Sequence, residues 1–134
     1  MMWVGGVVVF IILVAVFDRQ ATSGPGELDA FATCLKDRGA IFYGTFWCPH
    51  CANQKKLFGK SVKFLPYVEC STADGKNQLL ICKEKNITSY PTWDFLPVGE
   101  ATTTTRLTGE INLDKLAEQT GCQLPTQLGA PSSK

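Results

Sequence analysis

Residues 40–51 read AIFYGTFWCPHC, and the way this stretch divides decides the fold. Residues 40–47 are apolar and aromatic and follow Gly39, the pattern of a buried central strand of parallel type. The Cys48-Pro49 pair ends that strand. Pro49 suits the first turn of a helix, where its missing N–H is not needed, so Cys48 becomes the N-cap and Cys51 lies one turn deeper. The Cys-x-x-Cys pair therefore sits at a strand-to-helix junction.

On the N-terminal side, Leu28, Phe31, Ala32 and Leu35 recur at helical spacing, with Glu27 and Asp29 in the first turn and Gly39 beyond the last. This predicts a helix over 27–38. On the C-terminal side the helix begun at Pro49 runs towards Gly59, with Lys55, Lys56 and Lys60 on a solvated face that needs no function. A short strand at 67–70, a helix over 77–86 and a strand following Tyr90-Pro91-Thr92-Trp93 come next. A turn at 97–100 makes a hairpin with a strand at 101–107, and Asn112 caps a closing helix over 113–120 that Gly121 ends. A parallel pair joined by a helix, then an antiparallel hairpin and a helix, is a three-layer α/β/α sandwich with a mixed four-stranded sheet.

The chain has 134 residues, and the first 17 carry no charged side chain, which leaves 117 for a folded unit and room for one domain. Thirteen basic against twelve acidic side chains give a net charge of +1, no footprint for a phosphate backbone, so nucleic acid is not an expected partner. Residues 3–17, WVGGVVVFIILVAVF, are borderline for a membrane span, and neither a basic start nor a small-x-small site marks them for cleavage. They read as a membrane anchor or uncleaved signal over 1–17, in preference to a cleaved signal or a core element. Residues 18–26, DRQATSGPG, read as a linker, 27–122 as the domain and 123–134 as a disordered tail.

The six cysteines are Cys34, Cys48, Cys51, Cys70, Cys82 and Cys122, an even set that beside an apolar leader favours an oxidising compartment. Unpaired N–H groups and the positive end of the macrodipole favour an anion at a helix N-terminus, and a Cys48 thiolate is that anion. It is both nucleophile and leaving group, Cys51 is its resolving partner, and His50 between them can stabilise the thiolate further. Zinc sites share the C-x-x-C spacing but want four ligands, and with one histidine in the chain no second ligand pair completes one, so no metal is expected. A purely structural Cys48–Cys51 bridge is the other reading of the motif.

The stretch 46–51 (FWCPHC) after a hydrophobic strand, with Tyr90-Pro91-Thr92 further on, resembles the thioredoxin superfamily, and its Cys-Pro-His-Cys form is similar to that of the oxidant DsbA. Residues 54–59 (QKKLFG), 65–70 (LPYVEC), Cys82 and 90–93 (YPTW) extend the likeness over about 28–121, to the thioredoxin-like domain attached to bacterial and plant vitamin K epoxide reductase homologues. The resemblance implies a thioredoxin fold, a cis peptide before Pro91 and no cofactor. It implies a catalytic set of Cys48, Cys51 and His50, with Trp47, Pro49, Tyr90 and Pro91 against an extended substrate. Protein thiols would be the substrates, and a membrane-embedded, quinone-reducing vitamin K epoxide reductase homologue in trans would recycle the pair. The domain would face the periplasm, a thylakoid lumen or a secretory lumen. Cys70 and Cys82 match a second cysteine pair of that family, most simply a structural disulfide and alternatively a redox relay. For Cys34 and Cys122 no role is implied, and buried free thiols are at least as good a reading as a third bridge. The carboxylate that thioredoxins bury six residues before the first motif cysteine is Phe42 here, and Glu69 is a candidate substitute.

Overall fold

β1 spans Ala40–Gly44 in a computed structural model that describes residues 25–97 and 102–126. The apolar segment 1–17, most of the linker, most of the hairpin turn and most of the tail lie outside those residues. The strand stops three positions before its expected end at Trp47. The chain turns instead, the Cys48 N–H donating to the Thr45 carbonyl at 3.2 Å, and Phe46 and Trp47 are left more than half exposed.

The other elements are α1 (Asp29–Asp37), α2 (Pro49–Lys56), a 3-10 helix (Gly59–Phe64), β2 (Tyr67–Glu69), α3 (Leu80–Glu84), β3 (Thr92–Phe95), β4 (Thr105–Thr108) and α4 (Leu113–Thr120). The sheet order is β2-β1-β3-β4, with β1 and β2 parallel and the pairs β1–β3 and β3–β4 antiparallel. Together with the helices this is the expected mixed-sheet architecture, the thioredoxin fold.

Alternation along β1 divides the core. Ala40 and Phe42 point into the larger cluster, with Phe31 and Leu35 of α1, Cys51 of α2, Phe58, Trp93 and Leu116 of α4; Ile41 and Tyr43 point to the smaller one, with Cys82 and Ile87. Phe42 is paired in register with both Tyr67 and Trp93, and the rings follow, Phe42 edge-on to Tyr67 at 5.1 Å and stacked on Trp93 at 4.8 Å. Each such buried side chain contributes about 1.5–3 kcal/mol. Beyond β3, Arg106 of β4 faces Asp94 in register and holds both its carboxylate oxygens, at 2.6 and 2.7 Å.

α4 runs as expected, Asn112 Oδ1 accepting from the Lys115 N–H at 2.8 Å and Gly121 closing the helix at φ +71°. α1 begins two residues late, leaving Glu27 in a turn. α3 is half its expected length. Residues 71–79 form a loop in which the Thr72 hydroxyl accepts from the Asn77 N–H and the Asp74 carboxylate from the Lys76 N–H, both at 3.1 Å. Such side-chain bonds offer the backbone an alternative to the helix ladder. β4 starts at Thr105, four residues later than expected.

Two disulfides close the fold. Cys70–Cys82 ties the end of β2 to α3, as the structural reading has it. Cys34–Cys122 joins α1 to the chain just beyond α4, so the reading of these two as free thiols is corrected. The element order hides this contact, which needs the first and last helices on one side of the sheet.

Candidate active site at the start of α2

Cys48 is the N-cap of α2, extended at φ −80° and ψ 121°, and Pro49 is its first residue. Proline's fixed φ sets the helix entry without removing a needed donor. Cys48 and Cys51 are the two free cysteines, 7% and 1% exposed, so the cysteine count divides into two bridges and one thiol pair.

The loop before β3 comes back over Cys48. Its Sγ–H donates to the Tyr90 carbonyl at 3.7 Å, and the Tyr90–Pro91 peptide is cis, as expected. The Tyr90 ring meets the Trp47 indole edge-on at 6.1 Å. The indole N–H donates to Ser71 Oγ at 3.0 Å, and the Gln78 amide donates to the Tyr90 hydroxyl at 2.7 Å. Beside Cys48, Trp47, Thr45, Ser71, Gln78 and Tyr90 thus line a groove of about 130 Å³, with Cys70 in its wall. The Cys70–Cys82 bridge anchors the loop that supplies Ser71 and Gln78. Of the residues singled out in sequence, Trp47 and Tyr90 line this groove, Cys48 meets the Tyr90 carbonyl with Pro49 next to it in the chain, and Cys51 and Pro91 are buried.

His50 turns towards a residue that sequence reasoning missed. Its Nδ1 lies 2.7 Å from Glu110 Oε1, and the Asn53 amide donates to the same oxygen at 3.0 Å. Those two hydrogen bonds, Asn53 first and His50 second, hold the Glu110 carboxyl below the ordinary glutamate range. Glu110 reaches this place because Gln54, fully buried on α2, clamps the following residue: its amide donates to the Ile111 carbonyl at 2.8 Å and its oxygen accepts the Ile111 N–H at 2.7 Å. A signal existed, since Gln54 sits three residues after Cys51 and four before Phe58, on the helix's inner face.

Around Cys51 the walls are apolar or aromatic. Phe42 is fully buried where thioredoxins keep their carboxylate, and Gly44 lets its neighbours close in: a Cβ there would stand 2.9 Å from both Cys51 Sγ and the Tyr67 ring. Burial pushes the Cys51 thiol up to about 12, opposed by the Thr45 backbone hydrogen bond, reinforced by Cys48 and opposed again by the Lys55 charge. Lys55 is not on an idle solvent face: its ammonium lies over the Tyr67 ring, 3.5 Å from the centroid. Glu69, the candidate substitute base, is otherwise occupied. It accepts from the Tyr67 hydroxyl at 2.7 Å, the Ser71 N–H at 2.9 Å and the Phe46 N–H at 3.3 Å.

Among the described residues no three His, Cys, Asp or Glu side chains gather to hold a metal ion, and no helix is long and apolar enough to cross a membrane. No family model matches the chain. Over 109 residues, 78% of its length, the chain is 40% identical to thiol-disulfide oxidoreductase LTO1 of Arabidopsis thaliana. The chain spans 27% of that relative.

Proposed function

We propose that this chain is a thiol-disulfide oxidoreductase acting through Cys48 and Cys51, and that it oxidises protein thiols. One observation carries the reading: the two cysteines left out of bridges are a buried pair at the N-terminus of α2, the outer one facing the Tyr90 carbonyl before cis-Pro91. The likeness to a plant thiol-disulfide oxidoreductase supports it.

In the oxidising direction a substrate thiolate attacks Cys48 Sγ of the Cys48–Cys51 disulfide, and Cys51 leaves with the bonding electron pair. A second substrate thiolate attacks the substrate sulfur of the mixed disulfide and releases Cys48 as thiolate. Cys48 stands at the N-cap of α2, beside the helix's unpaired backbone N–H groups. His50 is the second residue of that helix, its ring held by Glu110. An extended substrate backbone would lie along Tyr90 and Pro91, one flanking side chain entering the groove beside Trp47. The reduced pair would hand its electrons to a membrane quinone-reducing vitamin K epoxide reductase homologue, with the domain held at the membrane in an oxidising lumen or periplasm.

The test has two parts. Cys51→Ala should trap mixed disulfides between Cys48 and other proteins, and a variant that traps none overturns the thiol-exchange reading. The potential of the Cys48–Cys51 couple should lie nearer about −120 mV, the value of DsbA, than about −270 mV, that of thioredoxin. The thioredoxin value would make the chain a reductase or isomerase.

A further inference from the structure

The site as described lacks a partner for one proton. When the disulfide opens, Cys51 departs as an anion into a pocket walled by Phe42, the Gly44 backbone and the Tyr67 ring, where the Thr45 backbone offers it a hydrogen bond but no transferable proton. An anion so placed needs a proton or a counter-charge at once. Phe42 has none to give. The Tyr67 hydroxyl is committed to Glu69, and burial together with that carboxylate pushes it up, away from donating. Glu69 has its two oxygens turned to Tyr67, Ser71 and Phe46. His50 points to Glu110. On the far face of the sheet Asp94 and Arg106 pair with each other. Lys55 remains, one helical turn after Cys51 and therefore on the same stripe of α2.

We infer that Lys55 is the proton donor to the Cys51 thiolate, and that Tyr67, locked by Glu69, is the positioning residue that seats it. The seat is visible: the Lys55 ammonium lies 3.5 Å above the centroid of the Tyr67 ring, whose edge crowds the same point beside Gly44 as Cys51 Sγ. Burial dominates at the Cys51 thiol, and the Lys55 charge, the smallest of the influences on it, opposes that burial. A thiolate in this pocket is a strong base and draws a proton from a neighbouring ammonium. The balance is complete. The substrate sulfur bonds to Cys48 Sγ, the Cys48–Cys51 bond breaks with its electrons on Cys51, the Lys55 proton passes to Cys51 Sγ, and the amine recovers a proton from solvent. Protonated Cys51 no longer attacks the mixed disulfide, so the step is committed towards substrate oxidation.

This inference rests on the exchange activity proposed above, and the experiment separates the two. The oxidised full chain is mixed with an excess of an aromatic thiol already ionised at neutral pH, and opening of the disulfide is followed in stopped flow. Wild type is expected to open at a rate independent of buffer concentration. Lys55→Met, which keeps the stem, is expected to open about a hundredfold more slowly and to recover as methylammonium is added, because an external acid then supplies the proton. Lys55→Arg keeps the charge and the ring contact but not the transferable proton, and is expected to stay slow. A merely structural lysine would not give a rate that depends on added acid. Lys55→Met at the wild-type rate, Lys55→Arg at the wild-type rate, or a slow Lys55→Met that methylammonium does not restore each overturns the inference alone. A wild type that does not exchange overturns the proposed function and this inference with it.

Discussion

Replacing Cys34 and Cys122 together by alanine should remove most of the stability that the long disulfide loop confers. The bridge spans 88 positions. Loop-closure entropy for a loop of that length is worth about 4.6 kcal/mol at 25 °C. That is a large share of the roughly 5–15 kcal/mol that stabilises a domain. It matters here because the bridge joins the two ends of the fold, α1 and the chain beyond α4. Cys48→Ala and Cys51→Ala are introduced in both proteins so that only the outer bridge differs, and unfolding is followed in urea by circular dichroism. With a slope of about 2 kcal/mol per molar, the midpoint should fall by about 2.3 M. Peptide mapping of the unreduced parent should recover the Cys34 and Cys122 peptides joined. A fall of less than about 0.5 M, roughly 1 kcal/mol, would refute the reasoning. It would mean that the first and last helices are held by packing alone.

Two further outcomes are expected. Arg106→Met leaves the buried Asp94 carboxylate without its bidentate partner and should cost about 2 kcal/mol in urea unfolding, part of it recovered by adding Asp94→Asn; an Arg106→Met variant as stable as the parent would count against that pairing. For pH, the Glu110 carboxyl titrates below its ordinary value of 4.5 when folded, so its contribution to stability is present above 4.5 and lost as pH falls through its folded value. The Asn53 side-chain amide signals in NMR should shift over that acidic range, and Glu110→Gln should abolish the shift; a transition at or above 4.5 would contradict the contact.

Local signals were legible wherever one residue decides the local geometry. Pro49 after Cys48 dictated the N-cap, and Asn112 and Gly121 bounded α4 to the residue. Ala40 and Phe42 alternating with Ile41 and Tyr43 were consistent with a central strand covered on both faces. Boundaries failed where side chains compete with backbone hydrogen bonds. Thr72, Asp74 and Asn77 turned the first part of an expected helix into the loop that now walls the groove. The aromatic run to Trp47 concealed the turn that leaves Phe46 and Trp47 exposed, because apolar residues beside a binding groove are as hydrophobic as those in a core.

The amino-acid sequence by itself determined the strand-to-helix junction, the thiol pair placed there and the order of elements, since each depends on residues within a turn or two of one another. Tertiary structure alone decided what surrounds the sulfurs. Glu110 reaches His50 from 60 positions away, and Lys55 finds its seat on a tyrosine of the neighbouring strand. Cys34 meets Cys122 from opposite ends of the fold. These contacts join groups that no local spacing relates, and they form only when burial of the apolar faces brings the helices and strands together.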